Sequence, residues 1–519
     1  MALSWTKFRS QCKSRWSAWA RSLYLQRGFW RAKYRQVKLR LRETRKEISE
    51  LQSRQAQLEE QNAKWRERVR ELEVLAIQPK PVTLPLGMVP PGHQYGLGLI
   101  ALCINLARVV GLRATSQVLR VLFEWLGVEV AIPTYQTIRL WMLRVGLDRM
   151  QNAEQVSGGA WLADHTNQIG KEKVLSILRV PEHKFPSGEQ PLRHQDVNAL
   201  TVTPGESWKS ADVASVYREM AQCYGVPRCI VTDGAVELRK SVELVWKPEE
   251  RPLIIRDPKH LLANALEKEL SRDPHYQVFA KQLGGMRSAL QQTELAHFIP
   301  TVFKPKARFM NLPPVLSWAR TVLWHLDHPE SKSRKGITER RFEEKLGWLR
   351  PFALHIQRWS ECQQVVSAAL VFANKNGVFQ GAADQCAELL APLATEAMSQ
   401  RVARTFVEYL RQIEPHLRPN ERLPLSTEIQ ESSFALFKQL ERQHSKSGFT
   451  GLVLAYPVLL SATTPAEVAA AFDRVKVADV NQWITTNLGQ TVTAKRQMVY
   501  REARKTNTPK SATDVAIAT

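Results

Sequence analysis

The stretch Cys229-Ile-Val-Thr-Asp233-Gly234 constrains the fold more than any other part of this chain. Four residues suited to a buried strand end on a carboxylate and a glycine, the pattern of a strand that runs into a turn. Ahead of it, Ser210 to Tyr224 carries apolar residues at Val213, Val216, Tyr217, Met220 and Tyr224. That spacing is helical, and Gly225 and Pro227 stop the helix. A helix feeding a buried strand is half of a crossover unit, and functional groups in such sheets gather at the carboxyl ends of the strands. Asp233 is expected at such an end.

The surrounding residues extend this unit. Ala160 to Asp164 and Lys173 to Val180 are strand-like runs on either side of a turn at Gly170, a hairpin, and Asn198 to Thr203 is a third strand. After Asp233 come a helix near Val236–Val245 and the strand Leu253 to Ile255, which leads to Asp257 and His260. Three successive strands followed by alternating helix and strand predict a mixed sheet with helices on its faces, an order that resembles the ribonuclease H-like fold.

Outside this α/β segment the patterns are helical. From Tyr34 to Leu72 a heptad places Tyr34, Leu41, Ile48, Gln55, Asn62 and Val69 at one core position and Val37, Thr44, Leu51, Leu58, Trp65 and Leu72 at the other. This predicts a coiled coil, and Asn62 in the seam favours a defined register and a dimer. The basic segment before it interleaves Trp5, Trp16, Trp19, Phe29 and Trp30 with cations such as Lys33, Arg35 and Arg40. Pro79 to Pro91 reads as a linker. Three helices follow, near Tyr95–Val110, Ser116–Leu126 and Pro133–Leu147. The last two resemble a helix-turn-helix whose second helix opens with Tyr135 and Gln136 and exposes Arg139; a plain packing module is the alternative. From Lys268 to Pro424 the strand signal disappears, and from Thr491 the chain turns polar. The expected divisions are 1–78 (basic segment and coiled coil), 92–150 (helix-turn-helix-like), 157–267 (first part of the α/β core), 268–424 (α-helical insertion), 425–487 (last part of the core) and 488–519 (polar tail).

Charge points to a partner. The 519 residues hold 73 Lys and Arg against 50 Asp and Glu, an excess of +23. Residues 1–47 alone hold 14 Lys and Arg against Glu43 and Glu47, so about half of the excess lies there. Such a distribution implies a polyanion, most commonly nucleic acid. No apolar run is long enough to cross a bilayer, the basic N-terminus lacks the apolar stretch of a secretory signal, and six scattered cysteines form no CxxC pair. A cytoplasmic protein associated with the nucleoid is expected.

Phosphodiester chemistry at neutral pH needs an activated oxygen nucleophile and neutralisation at phosphorus, and two magnesium ions held by clustered carboxylates supply both. Asp164 and Asp233, on neighbouring strands, are two such acids. The third is assigned to Glu431, on a helix opened by a capping box between Thr427 and Gln430. Lys438 follows seven residues later on nearly the same face, suited to a phosphate, while Phe434 and Phe437 face inward. Glu428 is the rival, although an acid in a first turn is already explained by the helix dipole. An Asp before Gly is also ordinary turn chemistry. Asp257 and His260 are neighbours of the site or a helix cap with its satisfied histidine. Lys209 is a phosphate contact or simply exposed. The tryptophans at 318, 324, 348 and 359 stack on a base or, more commonly, belong to a core.

Leu-Ala-Asp164-His, Val-Thr-Asp233-Gly and Glu431 with a cation seven residues on resemble the transposases of bacterial insertion sequences that carry an Asp-Asp-Glu triad on a ribonuclease H-like core. The resemblance covers roughly 158–267 and 425–465. It implies an enzyme that cleaves double-stranded DNA at transposon ends and transfers the strand to a target, using two Mg2+ or Mn2+ ions bound by Asp164, Asp233 and Glu431. It also implies a homodimer or larger synaptic assembly. A non-catalytic DNA-binding repressor and a metal-dependent nuclease without strand transfer are the alternatives.

Overall fold

The structure is a computed structural model that describes residues 15–76, 87–155, 157–167, 173–205, 207–301, 312–331, 336–443, 451–488 and 497–502. The chain divides into two compact units, residues 1–84 and 85–519.

In the first unit Arg15–Ala76 is one α-helix of 62 residues, α1. The basic segment and the heptad stretch are therefore continuous from Arg15 on. Tyr34, Val37, Leu41, Ile48, Leu51, Leu58, Trp65 and Val69 are between 48% and 68% exposed. At roughly 25 cal/mol per Å² of apolar surface, a seam of this length is costly to leave in water. Trp5 lies outside the described residues, as do the side chains of Trp16 and Trp19.

The second unit opens with α2 (Leu97–Val110), α3 (Leu112–Leu126) and α4 (Tyr135–Gln151). Gly111 alone joins α2 to α3, at φ +85°. The link from α3 to α4 runs from Gly127 to Thr134, longer than the three- or four-residue turn of a helix-turn-helix. Pro133 precedes the N-cap Thr134, whose hydroxyl accepts from Thr137 N, so the proline does not occupy the first turn as expected. Ile138, Trp141, Met142 and Val145 are buried, and so are Leu143, Arg144, Leu147 and Asp148. The second half of α4 is thus enclosed, and its open face is limited to the first turn.

The sheet follows. Strands β1 (Ala160–Asn167), β2 (Lys173–Val180), β3 (Asn198–Gly205), β4 (Cys229–Thr232) and β5 (Leu253–Arg256) lie in the order β3-β2-β1-β4-β5. The first three are antiparallel, and β4 and β5 run parallel to β1. This is the mixed sheet the spacing predicts; the turn at Gly170 lies outside the described residues. Helices α5 (Ser210–Tyr224) and α6 (Val236–Val245) cover one face, where Trp161, Ala163, Leu175, Ile177, Tyr217, Ile230 and Trp246 form a buried cluster. Alternation along the strands sends Asp164 to the other face.

After β5 the described elements are helical: α7 (Pro258–Leu270), α8 (Pro274–Leu290), α9 (Leu312–Asp327), α10 (Glu339–Leu346), α11 (Ala353–Asn376), α12 (Ala382–Leu390) and α13 (Ala397–Ile413). Trp359 is fully buried, whereas Trp324 is 51% exposed and stacks on His328. The helical segment is tied to the sheet: Tyr409 Oη accepts from Arg256 N and donates to Arg256 O, both at 2.7 Å, and Arg228 pairs with Glu421 at 2.7 Å. Finally α14 (Glu428–Arg442), α15 (Tyr456–Leu460), α16 (Pro465–Arg474) and α17 (Val477–Leu488) return to the sheet and to α4. The four segments expected between 92 and 487 all lie within this second unit. Among the described residues, no helix is long and apolar enough to cross a membrane.

Candidate active site

Asp164 is the fifth residue of β1 rather than its last, since the strand continues to Asn167 and pairs Asp164 with Ser176 of β2. Toward β4, however, the ladder ends at Ala163 and Thr232. Asp164 and Asp233 therefore both stand one residue past the last parallel rung. Adjacent strands are about 4.8 Å apart, and residues at one level project to the same face. Burial, and then the charge of Asp233, push the Asp164 carboxyl up to about 7, with a smaller push from Glu431. One Asp164 oxygen accepts from His165 N at 2.7 Å.

Asp233 also performs the expected turn role. Its Oδ1 accepts from Ala235 N at 2.7 Å, just before α6. Gly234 follows at φ +91°, and a Cβ there would stand 2.8 Å from Arg256 Nε. Only glycine fits both the backbone angle and the space.

The third acid arrives on α14, whose first turn is anchored at several points. Asp257 is fully buried, and its Oδ2 accepts from Thr427 N at 2.6 Å and from Thr427 Oγ1 at 2.8 Å. Its Oδ1 caps α7, accepting from Lys259 N at 2.7 Å and His260 N at 3.3 Å. Gln430 donates to Ser176 O at 2.8 Å, on the β2 residue that faces Asp164. Ser433 Oγ and Tyr456 Oη share a hydrogen bond at 2.5 Å. The expected capping box between Thr427 and Gln430 is not formed, because both side chains are committed to the sheet side. Phe434 and Phe437 are buried as expected.

Glu431 is thereby brought within electrostatic reach of Asp164, but its carboxylate is already engaged. Lys259 Nζ donates to Oε2, and His260 Nε2 stands 3.6 Å from Oε1. Burial by itself would raise the Glu431 carboxyl; the hydrogen bonds from His260 and Lys259 outweigh it and hold the group below its ordinary value. The same bond to Glu431 raises His260 against the effect of burial, helped by Asp257 and Asp233. For Lys259, burial works against the charge, and Glu431 more than compensates. Among the described residues, no three or more His, Cys, Asp or Glu side chains stand in an arrangement that could hold a metal ion. The donor types suit a hard cation, but Glu431 is turned to Lys259.

Three helices, α6, α7 and α14, begin at the ends of β4 and β5 or are tied to them through Asp257. Their N-terminal dipoles make the region favourable to an anion such as phosphate. Glu428 is exposed and bonded by Asn374 Nδ2. Lys438 is partly buried and acts on Glu441, whose carboxyl burial raises to about 7.

The remaining expected contacts are dispersed. Lys33 lies over the rings of Trp30 and Phe29, at 5.2 and 5.9 Å, and Arg35 and Arg40 are exposed on α1. Lys209 is exposed at the start of α5. Gln136 is exposed and donates to Tyr135 Oη at 3.3 Å, and Arg113 lies over the Tyr135 ring at 5.1 Å. Arg139, expected to be exposed, is largely desolvated beside Gly451. Its partner surface comes from residues more than three hundred positions later, which no local pattern reveals. The site residue that sequence reasoning passed over is Lys259, inside the Asp257-Pro-Lys-His260 run; a cation between two suspected site residues was the available signal.

No known family profile and no curated protein matches the chain. Among solved structures it is similar to the Drosophila P element transposase strand transfer complex, at a TM-score of 0.38 and 10% identity over 76% of this chain and 97% of that one.

Proposed function

We propose that this chain is a DNA strand-cleaving and strand-joining enzyme, a transposase of the Asp-Asp-Glu type on a ribonuclease H-like core. What supports the reading is the placing of Asp164 and Asp233 one residue past the last rung of adjacent parallel strands, with Glu431 on a helix tied to the same sheet through Asp257 and Gln430. Burial, and then the charge of Asp233, disfavour an ionised Asp164, a cost that a bound cation would relieve. Asp164, Asp233 and Glu431 would hold two Mg2+ or Mn2+ ions, which when bound supply charge neutralisation at phosphorus and an activated oxygen nucleophile. The helix N-termini orient the phosphate, and His260 and Asp257 set the direction of Glu431.

Lys33, Arg35 and Arg40 of α1, and in the second unit Tyr135 and Gln136 at the open end of α4 with Lys209 and Lys438, contact phosphates of double-stranded DNA. The seam of α1 pairs two copies of the chain. A second reading, a non-catalytic DNA-binding repressor, is favoured by the Lys259 contact that engages Glu431.

Nicking of supercoiled plasmid carrying the element's ends, with Mg2+ and with chelator, separates the two. Metal-dependent nicks that Asp233→Asn abolishes support the enzyme; DNA binding without nicks in either metal leaves the repressor. Joined products distinguish a transposase from a nuclease.

A further inference from the structure

Helix α3 carries an apolar stripe that the described residues leave open. Val118, Val121, Leu122 and Trp125 follow the spacing of one helical face and are 40%, 67%, 38% and 80% exposed. The helix is already anchored by a different face, where Leu112, Thr115, Leu119 and Phe123 are buried. Other exposed large apolar residues of the second unit, such as Val278, Trp324 and Leu389, stand singly on their helices. A contiguous apolar patch marks a contact surface, and an exposed indole is the side chain that most often dominates one. DNA does not fit it, because the stripe holds no cation and the exposed Glu124 borders it.

We propose that α3 packs on α3 of a second copy of this chain, antiparallel, about a two-fold axis between Val121 and Leu122. Reversal sets Trp125 of each copy against Val118 of the other, a large side chain opposite a small one, while Val121 and Leu122 meet their counterparts beside the axis. A parallel pair would set Trp125 on Trp125 and hold the Val118 residues apart. The charges agree with reversal: the exposed Arg113 and Arg120 lie in the first half of α3, and the exposed Glu124 and Glu129 lie near or just past its end. Antiparallel packing brings these opposite charges alongside and opposes the two helix dipoles. With about 200 Å² from the indole, the stripe buries roughly 400 Å² per copy, half of what a stable dimer needs. The contact is therefore weak by itself, with a Kd on the order of 100 µM, and strengthens wherever another contact already holds two copies together. It does not depend on the chemistry proposed for the acids.

The test is disulfide cross-linking of the full-length protein carrying Cys12→Ser and Cys223→Ser; Cys103, Cys229, Cys362 and Cys386 are buried. Leu122→Cys, beside the axis, is expected to give a disulfide-linked dimer under mild oxidation. Arg120→Cys, exposed on the same helix but about half a turn away, is expected to stay monomeric on a non-reducing gel. Adding Trp125→Asp is expected to cut the Leu122→Cys product about fivefold or more, and a residue this exposed is replaced without disturbing the fold. A second measurement removes α1 from the question. The chain with Leu51→Asp and Leu58→Asp, a monomer at micromolar concentration, is expected to dimerise in sedimentation at about 300 µM and to lose that dimer with Trp125→Asp. No cross-link at position 122, equal cross-linking at 120, a product or dimer indifferent to Trp125→Asp, or a monomer at every concentration would each overturn the pairing. The stripe would then belong to another protein or to a different segment of this chain.

Discussion

Thr427 gives both its backbone N–H and its hydroxyl to one oxygen of Asp257, at 2.6 and 2.8 Å, across 170 residues of chain. The other oxygen of the same buried carboxylate caps α7. One side chain therefore sets where two helices begin, and those helices carry Glu431, Lys259 and His260. The position of the third acid is decided at the end of β5 rather than within its own helix.

Removing that carboxylate leaves the donors of two helix starts unpaired in the interior. Asp257→Ala is expected to lower stability by about 3 kcal/mol, from two lost caps and buried donors. Urea denaturation of the metal-free protein measures it, and a wild-type midpoint would show that these bonds carry no stability. Thr427→Val, which loses the hydroxyl bond alone, should cost about 1 kcal/mol. If the bond aims Glu431, that variant also nicks about tenfold more slowly while remaining folded.

Asp164 makes stability depend on pH. Its carboxyl is raised from 3.8 to about 7 in the folded chain, so folding favours the proton. The stabilising contribution is complete below pH 4 and is lost as pH rises through 7, about 3 kcal/mol in all after allowance for solvent screening. Asp164→Asn should therefore unfold at a higher temperature than wild type at pH 8 in chelator, with the advantage shrinking toward pH 4. Scanning calorimetry at the two pH values checks the sign. The same variant is expected to bind DNA and to leave supercoiled plasmid intact.

Pairing of two copies through α1 would cover its exposed seam. Leu51 and Leu58 are 65% and 53% exposed. Sedimentation of the full-length protein is expected to give a dimer, and Leu51→Asp with Leu58→Asp a monomer, because charges in the seam remove its apolar burial. A wild-type monomer at micromolar concentration would rule out pairing through α1.

DNA affinity should fall steeply with salt. Replacing Lys33, Arg35 and Arg40 together with Gln is expected to reduce the slope of log K against log salt by about 2 to 3, the signature of lost phosphate contacts. Fluorescence anisotropy on labelled duplex measures it; an unchanged slope places DNA elsewhere on the protein.

The sheet was legible in the sequence because its signals are local. Alternating burial, a glycine after Asp233 and the Ser210–Tyr224 periodicity each act within a few residues, and β1 to β5 formed where those patterns lie. The helical character of α1 was visible for the same reason. Arg139 was misjudged because an outward position on an isolated helix says nothing about what arrives from residue 451 onward. The capping box failed likewise: Thr427 and Gln430 have the right spacing, but Asp257 and Ser176 compete for them with better-placed groups.

The chain's own order thus determined which residues become strands, which helices precede them, and that Asp164 and Asp233 belong to one sheet. Tertiary structure alone decided that the helix of Glu431 is anchored to the same sheet, with Glu431 paired to Lys259. Hydrogen bonds spanning 170 and 254 positions, from Thr427 to Asp257 and from Gln430 to Ser176, make that anchorage. Contacts at such separations depend on the packing of every element between, and no short window of sequence contains them.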